Sequence, residues 1–245
     1  METTNLNNTA RSNEQSALCA AYLIHSRPFS ETSLIVELFT ESHGRVAAVA
    51  NGAKRKNNIN KSLLQPFRPL LVSWRGHGDL KTLIRIDSPT LAFPLAKQYL
   101  YSGIYLNELI MRLLVKEASQ PVIYSAYHAT LLSLSKDNDI ELTLRQFELS
   151  LLSELGHGFS LLTDVDGQSI EPNWRYDLLT EQGFISRVDG KYIGQSLINI
   201  ANTNFCDTIT RNHAKLLTRQ ALTPLLGNKP LQSRRLFSRS KSLRN

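Results

Sequence analysis

The sequence predicts an α+β fold, in which a small N-terminal β-barrel is followed by a helical domain and a small, mixed and basic C-terminal region. Three observations lead there. Short β-branched or apolar runs separated by turn residues fill the first ninety residues, and leucine-rich runs at helical spacing follow Pro94. Lysine and arginine are concentrated in two windows that contain no acidic residue.

The barrel is predicted from five short segments between Leu18 and Ile86. Turn-forming residues such as Gly76 and Asp79 separate them, as expected for antiparallel strands. Five strands in about seventy residues are what a closed Greek-key barrel of the oligonucleotide-binding (OB) type needs. An SH3-like barrel has a similar strand count, and periodicity does not separate the two. The predicted strands are Leu18–His25, Ser33–Thr40, Gly44–Asn51, Leu70–Trp74 and Leu80–Ile86.

The helical domain is predicted from apolar residues spaced three and four apart, with Gly156 ending its last helix. Beyond it, Leu161–Asn173 has the composition of a loop, and Trp174–Ile193 is predicted as a helical turn and a hairpin at Asp189-Gly190. The predicted helices are Tyr99–Lys116, Pro121–Ser135, Ile140–Leu155 and Asp207–Leu226, the last carrying a basic stripe.

These elements define five regions along the 245 residues. They are a disordered tail (1–16), an OB-type barrel (17–90), a helical domain (95–160), a mixed C-terminal region packing on it (161–237) and a basic flexible tail (238–245). The first fifteen residues lack the apolar core of a signal peptide, and no stretch of eighteen apolar residues occurs. With only two cysteines, we expect reduced thiols and a cytoplasmic protein without membrane contact.

Charge segregation is the strongest functional signal. Residues 42–78 contain seven basic and no acidic residues, and residues 208–245 contain nine basic and again none. Exposed surfaces normally mix both signs, so this sorting predicts a positive surface for a polyanion, with chance clustering as the alternative. The predicted DNA-binding residues are Arg27, Arg45, Lys54, Arg55, Lys56, Lys61, Arg68, Arg75, Arg211, Lys215, Arg219, Arg234, Arg235 and Arg239.

Aromatic residues near these cations are candidates for stacking on bases. They are Phe29, Phe39, Phe67 and Trp74, and packing in the core is the alternative for each. We expect binding dominated by phosphate contacts, sensitive to salt and weakly selective for sequence.

Catalytic signatures are missing. Gly52-Ala53-Lys54-Arg55-Lys56 lacks the second glycine and the Ser/Thr of a P-loop, and no GxGxxG, HExxH or GxSxG motif occurs. We therefore predict no enzyme, no catalytic residue, no metal and no cofactor. Three rival classes stay open: an RNA-binding or ribosome-associated OB protein, a scaffold for an acidic protein partner, and an unrecognised nuclease or nucleotidyl enzyme.

The helical middle suggests a second binding function. Arg112, Lys116 and Arg145 lie on predicted helices rich in leucine and isoleucine, with Phe147 nearby. An apolar groove edged by cations suits an acidic peptide that ends in an aromatic residue. Ordinary surface cations above a packed core are the alternative.

Several motifs, in consistent order, resemble the RecO family of DNA repair proteins. They include Arg27-Pro28-Phe29-Ser30-Glu31-Thr32-Ser33, His43-Gly44-Arg45, Gly52-Ala53-Lys54-Arg55, Leu64-Gln65-Pro66-Phe67, Tyr101-Ser102-Gly103, Asn107-Glu108, Arg145-Gln146-Phe147-Glu148 and Pro230-Leu231-Gln232-Ser233-Arg234-Arg235-Leu236-Phe237. Each motif alone is weak, whereas their order and spacing over Leu18–Phe237 are specific.

The resemblance implies an N-terminal OB-fold and a recombination mediator. RecO-like proteins bind single- and double-stranded DNA, anneal complementary strands and work with RecR to help RecA replace single-stranded DNA-binding protein (SSB). The acidic SSB tail ends in phenylalanine, which fits the groove at Arg112, Lys116 and Arg145. Many relatives carry a four-cysteine zinc module here, but Leu161–Asp177 has no cysteine, so the resemblance implies a zinc-less member. We expect local packing by Trp174 and Tyr176 instead.

Overall fold

The computed structural model describes residues 15–55 and 59–237. Two compact units form along the chain. The first, which we call the barrel unit, takes in the chain up to Ser135 and again from Leu231; the second unit is Lys136–Pro230. Lys56, Arg239, the predicted basic tail at 238–245 and nearly all of the predicted N-terminal tail lie outside the described residues.

Five strands close into a barrel, which confirms the predicted fold class. They are β1 (Cys19–Pro28), β2 (Leu34–Thr40), β3 (Gly44–Ala50), β4 (Leu70–Arg75) and β5 (Lys81–Asp87). Their order is β1-β2-β3-β5-β4, and β4 pairs with β1 to close the sheet. Among the barrel pairs only β3–β5 is parallel, and the chain between these two strands runs through helix α1 (Ile59–Leu63) and β4. This order favours the OB-type barrel over the SH3-like alternative.

Alternation along the strands fills the barrel. Val36 and Leu38 of β2 and Val46 and Ala48 of β3 point inward and are at most 1% exposed. Their neighbours in sequence point outward, because successive side chains of a strand lie on opposite faces. Leu64 enters the same core directly after α1.

Part of the outer barrel face is covered by the helices that follow it. Tyr22 and Phe39 lie on that face and contact Tyr124 and Tyr127 of helix α3 (Pro121–Ser135), with ring centroids 5.1 to 5.9 Å apart. Helix α2, which spans Lys97–Leu113, is bonded to α3 through the Tyr127 hydroxyl and the Asn107 side-chain oxygen at 2.6 Å. These two helices therefore belong with the barrel, and the division at Ser135 differs from the predicted 95–160 domain.

The second unit combines helices with a small sheet. Helix α4 (Ile140–Glu154) and helix α6 (Thr208–Leu226) pack together, and helix α5 (Gly194–Ala201) packs on α6. The sheet consists of β6 (Arg175–Leu179), β7 (Gly183–Ser186) and β8 (Tyr192–Ile193) in the order β7-β6-β8. Phe147, Leu151, Phe184, Tyr192 and Leu217 are at most 2% exposed.

The prediction for Trp174–Ile193 is partly wrong. No helical turn forms there, because the segment starts with β6. A turn does form at Gly190, whose N–H donates to the Arg187 carbonyl at 3.0 Å, but the strands on either side both pair with β6 rather than with each other. A Cβ on Gly190 would lie 2.5 Å from the Tyr176 nitrogen, so this close approach requires glycine.

The cysteine-free segment before β6 is held by ordinary contacts. Ile170 is 5% exposed, and the Tyr176 hydroxyl accepts a hydrogen bond from the Glu171 N–H at 2.9 Å. The Asp164 carboxylate accepts from the N–H groups of Asp166 and Gln168, which makes a turn. Tyr176 thus has the packing position expected of it, whereas Trp174 is 56% exposed.

Candidate nucleic-acid interface

A row of paired residues crosses the outer face of the barrel. Arg27 pairs with Ile35, Ile35 with Val49, Val49 with Thr82 and Thr82 with Arg75. Directly paired residues share a face of the sheet. Exposed arginines therefore stand at both ends of the row, on β1 and β4, on a face that OB folds commonly use for oligonucleotides.

Two loops meet beside the Arg27 end of this row. The Lys54 N–H donates to the Thr32 carbonyl at 2.9 Å, and the Lys54 ammonium donates to the Ser30 carbonyl at 2.8 Å. The β3–α1 loop is thereby attached to the β1–β2 loop, which holds Phe29. We call Arg27, Phe29, Lys54 and Arg55 the loop site; all four are exposed.

Exposure separates the four aromatic candidates. Phe29 is 56% exposed, while Phe39, Phe67 and Trp74 are at most 5% exposed and belong to the core. Of the four, only Phe29 offers a ring face to a base. It does so next to cations, which is the combination that binds single strands.

Arg45 does not belong to a DNA surface, although the sequence predicts it there. Arg45 is 8% exposed, and one of its guanidinium nitrogens donates to the carbonyls of Met111 and Leu114 at 2.6 and 2.8 Å. The other terminal nitrogen lies 3.4 Å from a Glu37 carboxylate oxygen. These contacts tie β3 to the end of α2, and a group committed in this way is unavailable to phosphate.

The other cations of the first basic window differ in exposure. Lys61 on α1 and Arg75 at the end of β4 are exposed. Arg68 is half-buried, and its Nε atom is buried without a hydrogen-bond partner among the described residues. Lys56 is not described.

The second basic window is divided between the two units. Arg211, Lys215 and Arg219 lie on α6 of the second unit, and Arg234 and Arg235 lie in the barrel unit. On α6 the predicted acid-free stripe is contradicted by ion pairs. Arg211 lies 2.6 Å from an Asp139 oxygen, and Lys215 lies 3.8 Å from a Glu141 oxygen. Arg219 remains exposed.

The two units differ in net charge once the acidic residues outside the two basic windows are counted. The described part of the barrel unit carries 14 basic and seven acidic residues, a net charge of +7. The second unit carries nine basic and 12 acidic residues, a net charge of −3. Positive charge for a polyanion is thus concentrated in the barrel unit.

The return of the chain to the barrel unit is fixed by Glu108 on α2. One carboxylate oxygen accepts from the Gln232 N–H at 2.8 Å, and the other accepts from the Ser233 N–H and hydroxyl at 2.9 and 2.6 Å. Leu231 and Ser233 are at most 3% exposed. Sequence reasoning missed this contact; its one signal is an acidic residue inside the apolar run Tyr99–Val115.

The three cations predicted to hold an acidic peptide are differently placed. Arg112 and Lys116 lie in the barrel unit and Arg145 in the second unit. Lys116 lies 3.6 Å from a Glu37 oxygen. Arg145 lies 2.6 Å from a Glu148 oxygen, with side chains 11% and 1% exposed, so most of its charge is compensated locally.

The second unit has an open cavity close to Arg145 in sequence, with both apolar and polar lining residues. Its volume is about 480 Å³, and Leu149, Leu152 and Phe159 are among its lining residues. Leu149 follows Arg145 by one turn of α4 and therefore lies on the same side of the helix. This cavity is large enough for an aromatic side chain.

Two further properties bear on the class of protein. Across residues 15–55 and 59–237, no three His, Cys, Asp or Glu side chains are grouped as metal ligands. Among the helices in the described part of the chain, none is long and apolar enough to cross a bilayer.

Comparison with known proteins shows which family this chain belongs to. The family model "Recombination protein O N terminal" matches residues 15–89, and "Recombination protein O C terminal" matches residues 98–235. This chain belongs to the RecO family. The first RecO match ends just after the barrel and the second begins at the start of α2, and together they cover most of the chain.

Individual RecO proteins are similar over nearly their whole length. A DNA repair protein RecO from Haemophilus influenzae is 40% identical over 230 residues, 92% of this chain and 98% of the relative. One from Serratia proteamaculans is 44% identical over 222 residues, 89% of this chain and 91% of the relative. One from Yersinia enterocolitica is 43% identical over 222 residues, with 89% and 92% covered. The chain is therefore a DNA repair protein of this family.

Proposed function

We propose that the barrel unit binds single- and double-stranded DNA, that the protein anneals complementary strands, and that with RecR it helps to load RecA onto SSB-coated DNA. The observation that carries this proposal is the loop site, in which an exposed phenylalanine lies between cations on an OB-type barrel. Annealing then needs neutralisation of phosphate charge but no covalent step. We place this activity in the cytoplasm, at the nucleoid, without a cofactor.

The described cations supply enough contacts for such binding. Seven exposed cations of the barrel unit come from the predicted set: Arg27, Lys54, Arg55, Lys61, Arg75, Arg234 and Arg235. Each phosphate that a cation neutralises releases condensed counterions, so binding is favourable and falls with salt. Contacts of this kind carry no base sequence, which suits a protein that acts at gaps of any sequence.

The test is annealing of complementary oligonucleotides with and without SSB, at two salt concentrations. We expect the double variant Lys54→Ala with Arg55→Ala to slow annealing and to weaken binding of all sequences alike. The matched control removes two exposed cations of the second unit, Lys136→Ala with Lys191→Ala, and leaves both unchanged. Equal effects of the two double variants would contradict a site in the barrel unit.

The SSB tail is the proposed protein partner. Its terminal phenylalanine would enter the cavity lined by Leu149, Leu152 and Phe159. We expect Ser153→Trp, which fills this cavity from its exposed rim, to abolish binding of a fluorescent peptide with the tail sequence. Binding that survives Ser153→Trp but is lost on Arg112→Ala with Lys116→Ala would locate the tail in the barrel unit instead.

The same assays address the rival functions. Preference for RNA over DNA in competition would indicate an RNA-binding OB protein. Capture of an acidic protein after nuclease treatment, without oligonucleotide binding, would indicate a scaffold. Magnesium-dependent cleavage of a labelled strand would reveal a nuclease.

A further inference from the structure

The C-terminal segment 231–237 returns to the barrel unit after 95 residues of the second unit. One carboxylate provides three hydrogen bonds to this segment, since both oxygens of Glu108 accept from donors of Gln232 and Ser233. We call these three residues the clasp. Beside it, Leu231 is 3% exposed, and the rings of Tyr101 and Phe237 meet edge to face with centroids 5.8 Å apart.

The clasp has the geometry of a helix cap supplied by a distant residue. A helical turn begins at Arg234, directly after Ser233. N–H groups at the start of a helix have no partner within the helix, and a carboxylate is a favourable acceptor for them. Glu108 therefore fixes the position and the direction of the first turn of this segment.

The segment carries cations and no acidic residue. Arg234 and Arg235 follow the clasp immediately and are both exposed. Without the clasp they would remain on a chain tethered at Pro230 to a unit whose net charge is −3. With it they add to the barrel unit, whose net charge is positive.

We propose that Glu108 is a positioning residue for DNA binding: its carboxylate holds segment 231–237 on the barrel unit and so presents Arg234 and Arg235 to the phosphate backbone. This inference rests on the proposed function, because it assigns further contacts to the same unit. The proposal predicts an effect opposite to that of simple charge repulsion. Removing an acidic residue normally strengthens binding to DNA, whereas removing Glu108 weakens it.

The experiment measures single-stranded DNA affinity of the full chain across a series of salt concentrations. Glu108→Gln keeps the size of the side chain but loses one acceptor oxygen, and we expect weaker binding. Log affinity falls as log salt rises, and losing two phosphate contacts makes this negative slope less steep by about 1.4. The loss of affinity between about 50 and 200 mM salt therefore becomes about sevenfold smaller. Glu41→Gln removes an exposed charge of the same unit and is the matched control, with equal or tighter binding expected.

Further variants separate the outcomes. Arg234→Ala with Arg235→Ala should reproduce the change in slope, and adding Glu108→Gln to that pair should produce no further loss. Behaviour of Glu108→Gln like that of Glu41→Gln, or an additive loss in the triple variant, overturns the inference. Should Glu108→Gln fail to fold, Ser233→Ala removes one of the three hydrogen bonds at constant charge; weaker binding supports the clasp and unchanged binding overturns it.

The inference and the proposed function fail in distinguishable ways. If Lys54→Ala with Arg55→Ala lowers the slope but Arg234→Ala with Arg235→Ala does not, the loop site stands and the clasp has no function in binding. If neither pair changes the slope, the barrel unit does not bind DNA through these cations and both proposals fall.

Discussion

At the scale of single residues, burial decides which cations stabilise the fold and which remain accessible to a ligand. Arg45 and Lys54 lie in the same acid-free window, yet Arg45 is enclosed by two carbonyls and Glu37 while Lys54 stands at an exposed loop. The window predicts that cations are abundant, but not which way each one points. That depends on the strand register and on what covers the outer face of the barrel.

Arg45 consequently gives a prediction about stability. Arg45→Ala leaves two carbonyls without the Arg45 donor and leaves Glu37 with Lys116 at 3.6 Å as its remaining ion-pair partner. Breaking a buried pair by removing one partner costs about 3 to 5 kcal/mol. Urea denaturation followed by circular dichroism measures this loss. Arg27→Ala, at an exposed site, should stay within about 0.5 kcal/mol of the parent. Equal stability of the two variants would contradict the enclosed position of Arg45.

Phe29 gives a prediction about the mode of binding. Phe29→Ala should weaken single-stranded DNA binding by about 1 to 3 kcal/mol, because one base loses its stacking surface. The salt slope should stay unchanged, since no cation is removed. Phe29→Tyr keeps the ring and should bind like the parent protein. A lower salt slope for Phe29→Ala would show instead that the ring merely supports the shape of the loop.

At the scale of secondary-structure elements, the acidic residues of the second unit organise helix packing. Asp139 accepts a hydrogen bond from the Leu142 N–H at 3.1 Å and so caps α4, and it also lies 2.6 Å from the Arg211 guanidinium on α6. Partial burial raises the pKa of Asp139, but the hydrogen bonds from Leu142 and Arg211 outweigh it and hold the pKa below its ordinary value. Glu141 and Lys215 are the other charged groups at this junction.

The lowered pKa predicts acid sensitivity with a definite sign. A carboxyl group whose pKa is lower in the folded state stabilises the fold above its unfolded pKa, about 3.9, and loses this contribution as the pH falls through the folded pKa. Thermal unfolding between about pH 6 and 2 should therefore show a smaller acid-induced loss for Asp139→Asn than for the parent. Asparagine preserves the cap, so Asp139→Ala should be less stable by about 1 kcal/mol even at neutral pH. Parallel pH profiles of the parent and Asp139→Asn would contradict this role.

Elements with strong local signals are predicted well from the sequence. The five strands of the barrel and the four long helices agree with prediction to within a few residues, because alternation and helical spacing are local properties. Helix α5 was not predicted: it starts at Gly194 and has no side-chain cap. The β6 pairings were missed for a related reason, since strands of two to five residues carry little periodicity. The division at Ser135 depends on aromatic contacts between β1, β2 and α3, which no local pattern records.

At the scale of the whole molecule, the sequence predicts the charge of the ligand better than the location of the surface that would bind it. Two basic windows separated by an acidic middle suggested two positive surfaces. In the structure the middle supplies Asp139 and Glu141 to the second window, while the clasp returns Arg234 and Arg235 to the barrel unit. Long-range pairing of this kind is set by tertiary contacts, which is why the loop site was partly predictable and the clasp was not.

The location of charge leads to a prediction for the full chain. With about six phosphate contacts, affinity for DNA should fall on the order of a thousandfold between about 50 and 200 mM salt. The rate of annealing should fall in parallel and should not respond to ATP, because charge neutralisation is the step that both processes share. Fluorescence anisotropy and stopped-flow annealing on the same oligonucleotides provide the two curves. Annealing that stays fast at a salt concentration where binding is lost would mean that strand pairing depends on something other than the cations of the barrel unit.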